Sequence, residues 1–200
     1  MSYKIILASA SPRRCEIMKN TGFDFTVLKS NADESSIDGS KLPPEIYVQE
    51  LALLKATDVV KKLADKKDDY LVIGADTIVH FNGKILGKPV DETDACNMLK
   101  LLSGNVHEVF TGFSIVRASD MTTVCKSVKT SVRFDSLSNE LINAYVRTGE
   151  PMDKAGAYGI QGKGAVLVDG IEGDYLNVVG LPVKSLAQTL NEEFGYTILD

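Results

Sequence analysis

The sequence predicts an α/β protein, a mixed sheet flanked by helices, in a single domain spanning residues 1–200. Three observations carry that expectation. Short apolar runs of strand character alternate with segments of helical periodicity. Two long segments, 107–117 and 122–134, read as an antiparallel hairpin. A chain of 200 residues with 44% hydrophobic and 24% charged residues, and no shift in composition, suits one domain with one core.

Residues 4–8 form an apolar run read as a buried strand. A helix follows from Pro12 to about Asn20, with Ser11 placed to cap it, Pro12 at its first position and Gly22 to stop it. Residues 23–28 are a second candidate strand, and 30–43 a polar loop long enough to suggest function. An amphipathic helix is expected from Pro44 to about Lys67, then a strong strand over 70–79. Asn82-Gly83 signals a hairpin turn, because both residues tolerate positive φ. A helix over 92–102 ends at Gly104. In the segment 122–134, Val124, Val128, Val132 and Phe134 share one face, with Lys126 as the exception. A helix over 138–148 stops at Gly149 and Pro151, a strand is expected over 165–168, and a closing helix over 182–194 puts Val183, Leu186, Ala187, Leu190 and Phe194 on one side.

The net charge of −5 disfavours a general electrostatic grip on nucleic acid or on an anionic membrane. No run approaches the ~18 apolar residues that span a bilayer. Cys15, Cys96 and Cys125 have neither disulfide-like nor metal-like spacing and read as reduced thiols of a cytoplasmic protein. The sequence leaves the oligomeric state open, a homodimer included.

Four segments carry candidate chemistry. In Ser9-Ala10-Ser11-Pro12-Arg13-Arg14 a strand feeds a small polar loop and then a helix start. Free N–H groups and the positive dipole end make that place suit an anion. Two arginines sit where the dipole disfavours cations, and their forks match phosphate oxygens. The glycines and the Gly-Lys-Ser/Thr ending of a P-loop are missing. In Gly74-Ala75-Asp76-Thr77, Asp76 is a carboxylate in an apolar strand, costly unless paired, hydrogen-bonded or on a metal. It reads either as a turn-capping Asp or as a ligand to a divalent cation or water, and Gly74 beside it admits a close approach that favours a ligand. Lys55 falls with Leu51, Ala52 and Val59 on an apolar helix stripe, which for one lysine alone means a packed stem and a solvated head. Lys88, in Leu86-Gly87-Lys88-Pro89, reads as a phosphate contact or as a solvated loop charge. The last segment, 150–164, holds Gly156, Gly159, Gly162 and Gly164 around Gln161, whose amide offers both a donor and an acceptor to a base edge. The plain alternative is a tight loop with a structural glutamine. His80 and His107 lack metal-ligand spacing and read as structural, and no nucleophile–base pair stands out.

Taken together, the segments around Ser9–Arg14, Asp33-Glu34, Lys55, Asp76, Lys88, Leu102-Ser103-Gly104, His107–Gly112, Asp153–Gly162 and Asn177–Pro182 resemble the Maf family of nucleotide pyrophosphatases over nearly the whole chain. The resemblance implies a fold related to inosine-triphosphate-type pyrophosphatases. It also implies cleavage between the α and β phosphates with a divalent cation, Mg²⁺ or Mn²⁺. By position, Asp76 would be the catalytic acid/base. Glu34, Lys55 and Lys88 would be the other catalytic or phosphate-contacting groups, with Asp76 and Glu34 holding the metal. Arg13, Thr77 and Gln161 fall where the family sets base choice, and their combination resembles the branch acting on dTTP and UTP rather than on 7-methyl-GTP. Ser9, Ser11, Arg13 and Arg14 would bind the substrate phosphates. Gln49-Glu50 departs from the basic residue common in the family and leaves Lys55 in register. Two rivals stand beside this reading: a nucleotide-sensing regulator without turnover, and a pyrophosphatase for purine or modified nucleotides.

Overall fold

The computed structural model describes residues 3–63 and 69–198. Strand β1 (Lys4–Leu7) feeds helix α1 (Pro12–Asn20). Ser11 holds the N-cap position with extended φ/ψ and Pro12 fills the first helical position. The Ser11 side chain makes no capping hydrogen bond, so the expected cap exists in backbone geometry only. Strand β2 (Phe25–Val27) is narrower than the expected 23–28. The polar loop then winds through two short 3-10 turns, Glu34–Ser36 and Gly39–Lys41.

Helix α2 (Pro44–Lys61) ends before the expected Lys67, in a turn at Lys62 and Leu63; the rest of that expectation lies outside the described residues. Strand β3 (Tyr70–Phe81) outruns 70–79 by two residues and turns through Asn82 (φ 49°) and Gly83 (φ 75°) into β4 (Lys84–Leu86), with His80 opposite Ile85. Both turn residues are left-handed, as a tight hairpin of this twist requires. Helix α3 (Glu92–Leu102) is capped by Asp91, which accepts from the Asp94 N–H at 2.7 Å. Strands β5 (Val106–Arg117) and β6 (Thr123–Phe134) match the expected hairpin segments closely. The one-faced alternation of β6 holds only at its end, where Thr130, Val132 and Phe134 are buried; Val124 and Val128 are half-buried, as are the residues between them.

Helix α4 (Asn139–Val146) is capped by Ser138. The strand expected over 165–168 is a correction: residues Gly162–Leu167 form a 3-10 turn, and strand β7 (Val168–Glu172) begins where that expectation ended. A short helix α5 (Tyr175–Val179) was not expected, and α6 (Val183–Phe194) closes the chain.

The strands hydrogen-bond in the order β2-β1-β3-β5-β6-β7, with β4 on β3. β1 runs parallel to both β2 and β3, whereas β3/β4 and β6/β7 are antiparallel, which makes the sheet mixed and the predicted α/β class correct.

Contacts divide the chain into two compact units. The first comprises Met1–Asp76, Thr111–Val128 and Gly180–Asp200. Its core includes Ile6, Ala8, Ala56, Val59, Val72 and Val116. Helix α2 lies against the strands so closely that a Cβ on Gly74 would stand 2.1 Å from the Ala52 carbonyl oxygen, and one on Gly112 would stand 2.4 Å from that of Val48. Gly74 therefore admits a helix backbone rather than a ligand, which corrects the reading of that glycine. The second unit comprises Thr77–Phe110 and Lys129–Val179, with Leu99, Leu102, Phe134, Ile142, Tyr158 and Leu167 in its core.

Candidate active site

In the first unit, β1 delivers Ser9 in a buried position just before α1. The Ser9 hydroxyl accepts from the Ser11 N–H at 3.2 Å and from Arg14 Nη1 at 3.3 Å. Arg14 Nε donates to the Gly180 carbonyl at 2.8 Å. Arg14 thus ties the Ser9–Ser11 loop to the segment that precedes α6, a structural task the sequence did not disclose. Desolvation pulls the Arg14 guanidinium below its ordinary pKa, the Asp76 charge pulls it back up, and Arg13 lowers and Glu34 raises it further. Those four charged groups share one electrostatic neighbourhood. No acidic residue occupies the first turn of α1, where the helix dipole disfavours the cation of Arg13.

The close seat of α2 has a second consequence. It brings Lys55 to Asp76, with Nζ 2.5 Å from Oδ1, and the same ammonium stands 2.9 Å from Glu34 Oε2. Lys55 and Asp76 are largely buried, with side chains 13% and 14% exposed, so water screens their pairing little; Glu34, at 53%, faces solvent. The snorkelling reading of Lys55 is overturned: its head is held between two carboxylates. Asp76 is satisfied by a cation and is not a turn cap.

Glu34 reaches this place because its loop is fastened at several points. Asp33 accepts from the Ser35 N–H and hydroxyl at 3.0 and 2.7 Å and so forms the 3-10 turn that carries Glu34. Upstream, Asp58 of α2 accepts from the Ser30 hydroxyl, the Asn31 N–H and Lys62. Tyr47, on α2 before Lys55, also belongs to this neighbourhood: burial raises its phenol pKa, and the charges of Asp76, Glu34 and Asp38 raise it further. One signal of Tyr47 is legible in the chain, an aromatic two helical turns before Lys55.

The remaining expected residues belong to the second unit. Thr77 follows Asp76 on β3 and is half-buried. Lys88 is exposed, in a loop held where the Gly87 carbonyl accepts from the Gly156 N–H at 3.0 Å. Gln161 is exposed and extended, at the residue that opens the 3-10 turn Gly162–Leu167. His80 pairs with Glu108 at 3.2 Å, and His107 is buried against Tyr158, so both histidines have structural surroundings.

Among the described residues no group of three or more His, Cys, Asp and Glu side chains is gathered to hold a metal ion. The donors present are the two carboxylates on Lys55, Asp76 and Glu34. They do not form a closed protein cage. They do fit a Mg²⁺-like ion that takes one or two carboxylates and completes its shell with water and substrate phosphates.

Half-buried cations beside a polar strand-end loop, with two carboxylates facing the same ammonium, equip a protein to bind a polyphosphate and to hold a water against it. The chain belongs to the family of Maf-like proteins, whose description matches residues 4–193. It is similar to a dTTP/UTP pyrophosphatase of Clostridium novyi (strain NT), 54% identical over 183 residues that cover 92% of this chain and 94% of the relative. A dTTP/UTP pyrophosphatase of Acetivibrio thermocellus is 50% identical, covering 98% of each chain. Among solved structures, a nucleoside-triphosphatase (dITP/XTP pyrophosphatase) from Mycobacterium abscessus aligns over 93% of this chain and 92% of its own, at 13% identity and a TM-score of 0.42.

Proposed function

We propose that the protein hydrolyses nucleoside triphosphates to the monophosphate and pyrophosphate, with dTTP and UTP preferred. The observation that carries this reading is the Lys55 ammonium shared by Asp76 and Glu34 in one charged neighbourhood with Arg13 and Arg14. The names of relatives at half-identity over nearly the full length support the substrate class.

Each residue has a distinct task. Arg13, Arg14 and the Ser9–Ser11 loop receive phosphate oxygens through charge-assisted hydrogen bonds. Lys55 keeps Asp76 oriented, and Asp76 takes the proton of the attacking water. The water oxygen joins phosphorus as the oxygen bridging the α and β phosphates departs with one product. Lys88 meets phosphate, and Thr77 and Gln161 meet the base. Asp76 and Glu34 would hold a divalent cation, Mg²⁺ or Mn²⁺, which when bound neutralises phosphate charge. Thiols free at Cys15, Cys96 and Cys125 support a cytoplasmic place of action. The family match over 4–193 supports reading the chain as one functional domain.

Base preference follows from hydrogen-bond pattern. A uracil edge presents acceptor, donor and acceptor, and a glutamine amide pairs with part of it. Cytosine lacks the N3–H and carries an amino group, so it leaves polar groups unpaired. A site built on such bonds rejects the mismatch strongly. The methyl that separates thymine from uracil is worth about 1 kcal/mol, so these two are weakly discriminated. The test is pyrophosphate release with Mg²⁺ or Mn²⁺ over dTTP, UTP, CTP, GTP and 7-methyl-GTP, in wild type and Gln161→Ala. The pyrimidine pair leading in wild type, and losing its lead in the variant, is the expected result. CTP or a purine leading in wild type overturns the base assignment, and no pyrophosphate from any substrate overturns the activity.

A further inference from the structure

In the loop that carries Gln161, three backbone N–H groups bond to side chains. Glu150 Oε2 accepts from the Lys163 N–H at 3.1 Å, and Oε1 accepts from the Gly164 N–H at 3.0 Å. The same Oε1 accepts from the Tyr145 hydroxyl at 3.0 Å, and that hydroxyl accepts in turn from the Gly159 N–H at 3.1 Å. One carboxylate and one phenol therefore hold three backbone donors that bracket Gln161 on both sides. The loop folds so tightly over the phenol that a Cβ on Gly164 would stand 2.6 Å from the Tyr145 oxygen and 2.3 Å from the Gly159 carbonyl oxygen.

The holders are themselves anchored. Tyr145 is buried on α4 in the core of its unit. The Glu150 N–H donates to the Thr148 hydroxyl at 3.2 Å, and its carbonyl accepts from Lys154 Nζ at 2.6 Å. Partial burial raises the Glu150 carboxyl pKa, but the Gly164 and Lys163 N–H groups, the Tyr145 hydroxyl and the Lys154 charge outweigh it, and the net shift is downward. The group is thus an anion at neutral pH, the form with acceptors on both oxygens.

We infer that Glu150 and Tyr145 are positioning residues for base selection, fixing the 159–164 loop so that the Gln161 amide is presented in one orientation. The inference rests on the reading of Gln161 as the base-contacting residue. Neither Glu150 nor Tyr145 touches the base: they act through the loop. A carboxylate is needed because a glutamine would turn an NH₂ group toward one of the loop donors and leave that donor unpaired.

The experiment measures kcat/KM for dTTP and for CTP in wild type, Glu150→Gln, Tyr145→Phe, Gln161→Ala and the Glu150→Gln/Gln161→Ala double variant, with folding checked by circular dichroism. The ratio of dTTP to CTP falls about tenfold in Glu150→Gln, the equivalent of one charge-assisted hydrogen bond, with KM for dTTP rising more than kcat falls. In the double variant the ratio is that of Gln161→Ala alone, because a loop without its reading side chain has nothing left to misplace. A purely structural role lowers rates for both substrates alike and adds to Gln161→Ala. Tyr145→Phe removes the acceptor for Gly159 and the donor to Glu150 while keeping the buried ring, so it decides the matter if Glu150→Gln does not fold. A wild-type ratio in both folded single variants, with Gln161→Ala altered, overturns this inference alone. An unchanged ratio in Gln161→Ala overturns the reading of Gln161 and this inference with it.

Discussion

Asp76, Lys55 and Glu34 come from a strand, a helix and a loop, yet one ammonium contacts both carboxylates within 2.9 Å. Asp76→Asn keeps an oxygen that can accept from Lys55, so the fold survives the change. What is lost is the proton acceptor, and kcat is expected to fall by ~10²–10⁴ at an unchanged circular dichroism spectrum. A folded variant with wild-type kcat returns Asp76 to a structural role. The two arginines separate in the same way. Arg14 gives Nε and Nη1 to Gly180 and Ser9, so its truncation damages the loop as well as binding. Arg13 sits in a first turn without an acidic residue, and Arg13→Ala is expected to weaken nucleotide binding about tenfold or more, the worth of one charge-assisted hydrogen bond. Calorimetric titration reads it, and an unchanged Kd means the side chain serves elsewhere.

Helix α2 owes its position, and Lys55 its partner, to Gly74 and Gly112. Gly74→Ala pushes a methyl to 2.1 Å from a helix carbonyl, a collision with backbone that no rotamer relieves. The helix must move away, at a cost of roughly 1–3 kcal/mol or more. A lower urea midpoint should accompany a lower kcat in the protein that remains folded, because Lys55 moves with its helix. An unchanged midpoint removes Gly74 from the account. The sequence showed a small residue beside Asp76 but not which body approaches it, since Ala52 and Gly74 are distant along the chain. Helical periodicity alone puts Lys55 on an apolar stripe with a solvated head, because both partners that hold its charge come from other segments; only the family resemblance singles it out. Elements with strong periodicity or turn chemistry, such as α1, α6 and the Asn82-Gly83 hairpin, were legible because their causes are local. The strand expected over 165–168 failed because the N–H groups just before it, on Lys163 and Gly164, go to the Glu150 side chain, and the backbone coils into a 3-10 turn instead of joining a ladder. Helix α5 is five residues long, too short to leave a periodic signal.

At the scale of the whole molecule, an acidic chain of net charge −5 still gathers Arg13, Arg14 and Lys55 around Asp76 and Glu34, so overall charge does not fix the charge of a local neighbourhood. Stability of the whole should depend on one group of the second unit. His107 is 1% exposed, with Nε2 2.7 Å from the Tyr158 hydroxyl and its ring edge-on to Phe134 and Tyr158 at 5.0 and 5.2 Å. Among the described residues Nδ1 has no hydrogen-bond partner. Burial lowers its pKa from 6.5 to about 4, because a charged imidazolium would be stranded among aromatic rings. The sign follows from proton uptake. Below pH 6.5 the unfolded chain binds a proton that the folded chain refuses until about pH 4, so acid favours unfolding through that window. The loss approaches roughly 3 kcal/mol at its lower end. His107→Gln has no proton to take up in this range, so it should be less stable than wild type at pH 7, where the buried ring packs well, yet lose less stability on acidification. Urea midpoints at pH 7, 6, 5 and 4.5 for both proteins make the comparison, with carboxylate titration common to the two and cancelling in the difference. Parallel pH dependences would show that His107 is already protonated in the folded protein, or that its surroundings admit water as readily as the unfolded chain does.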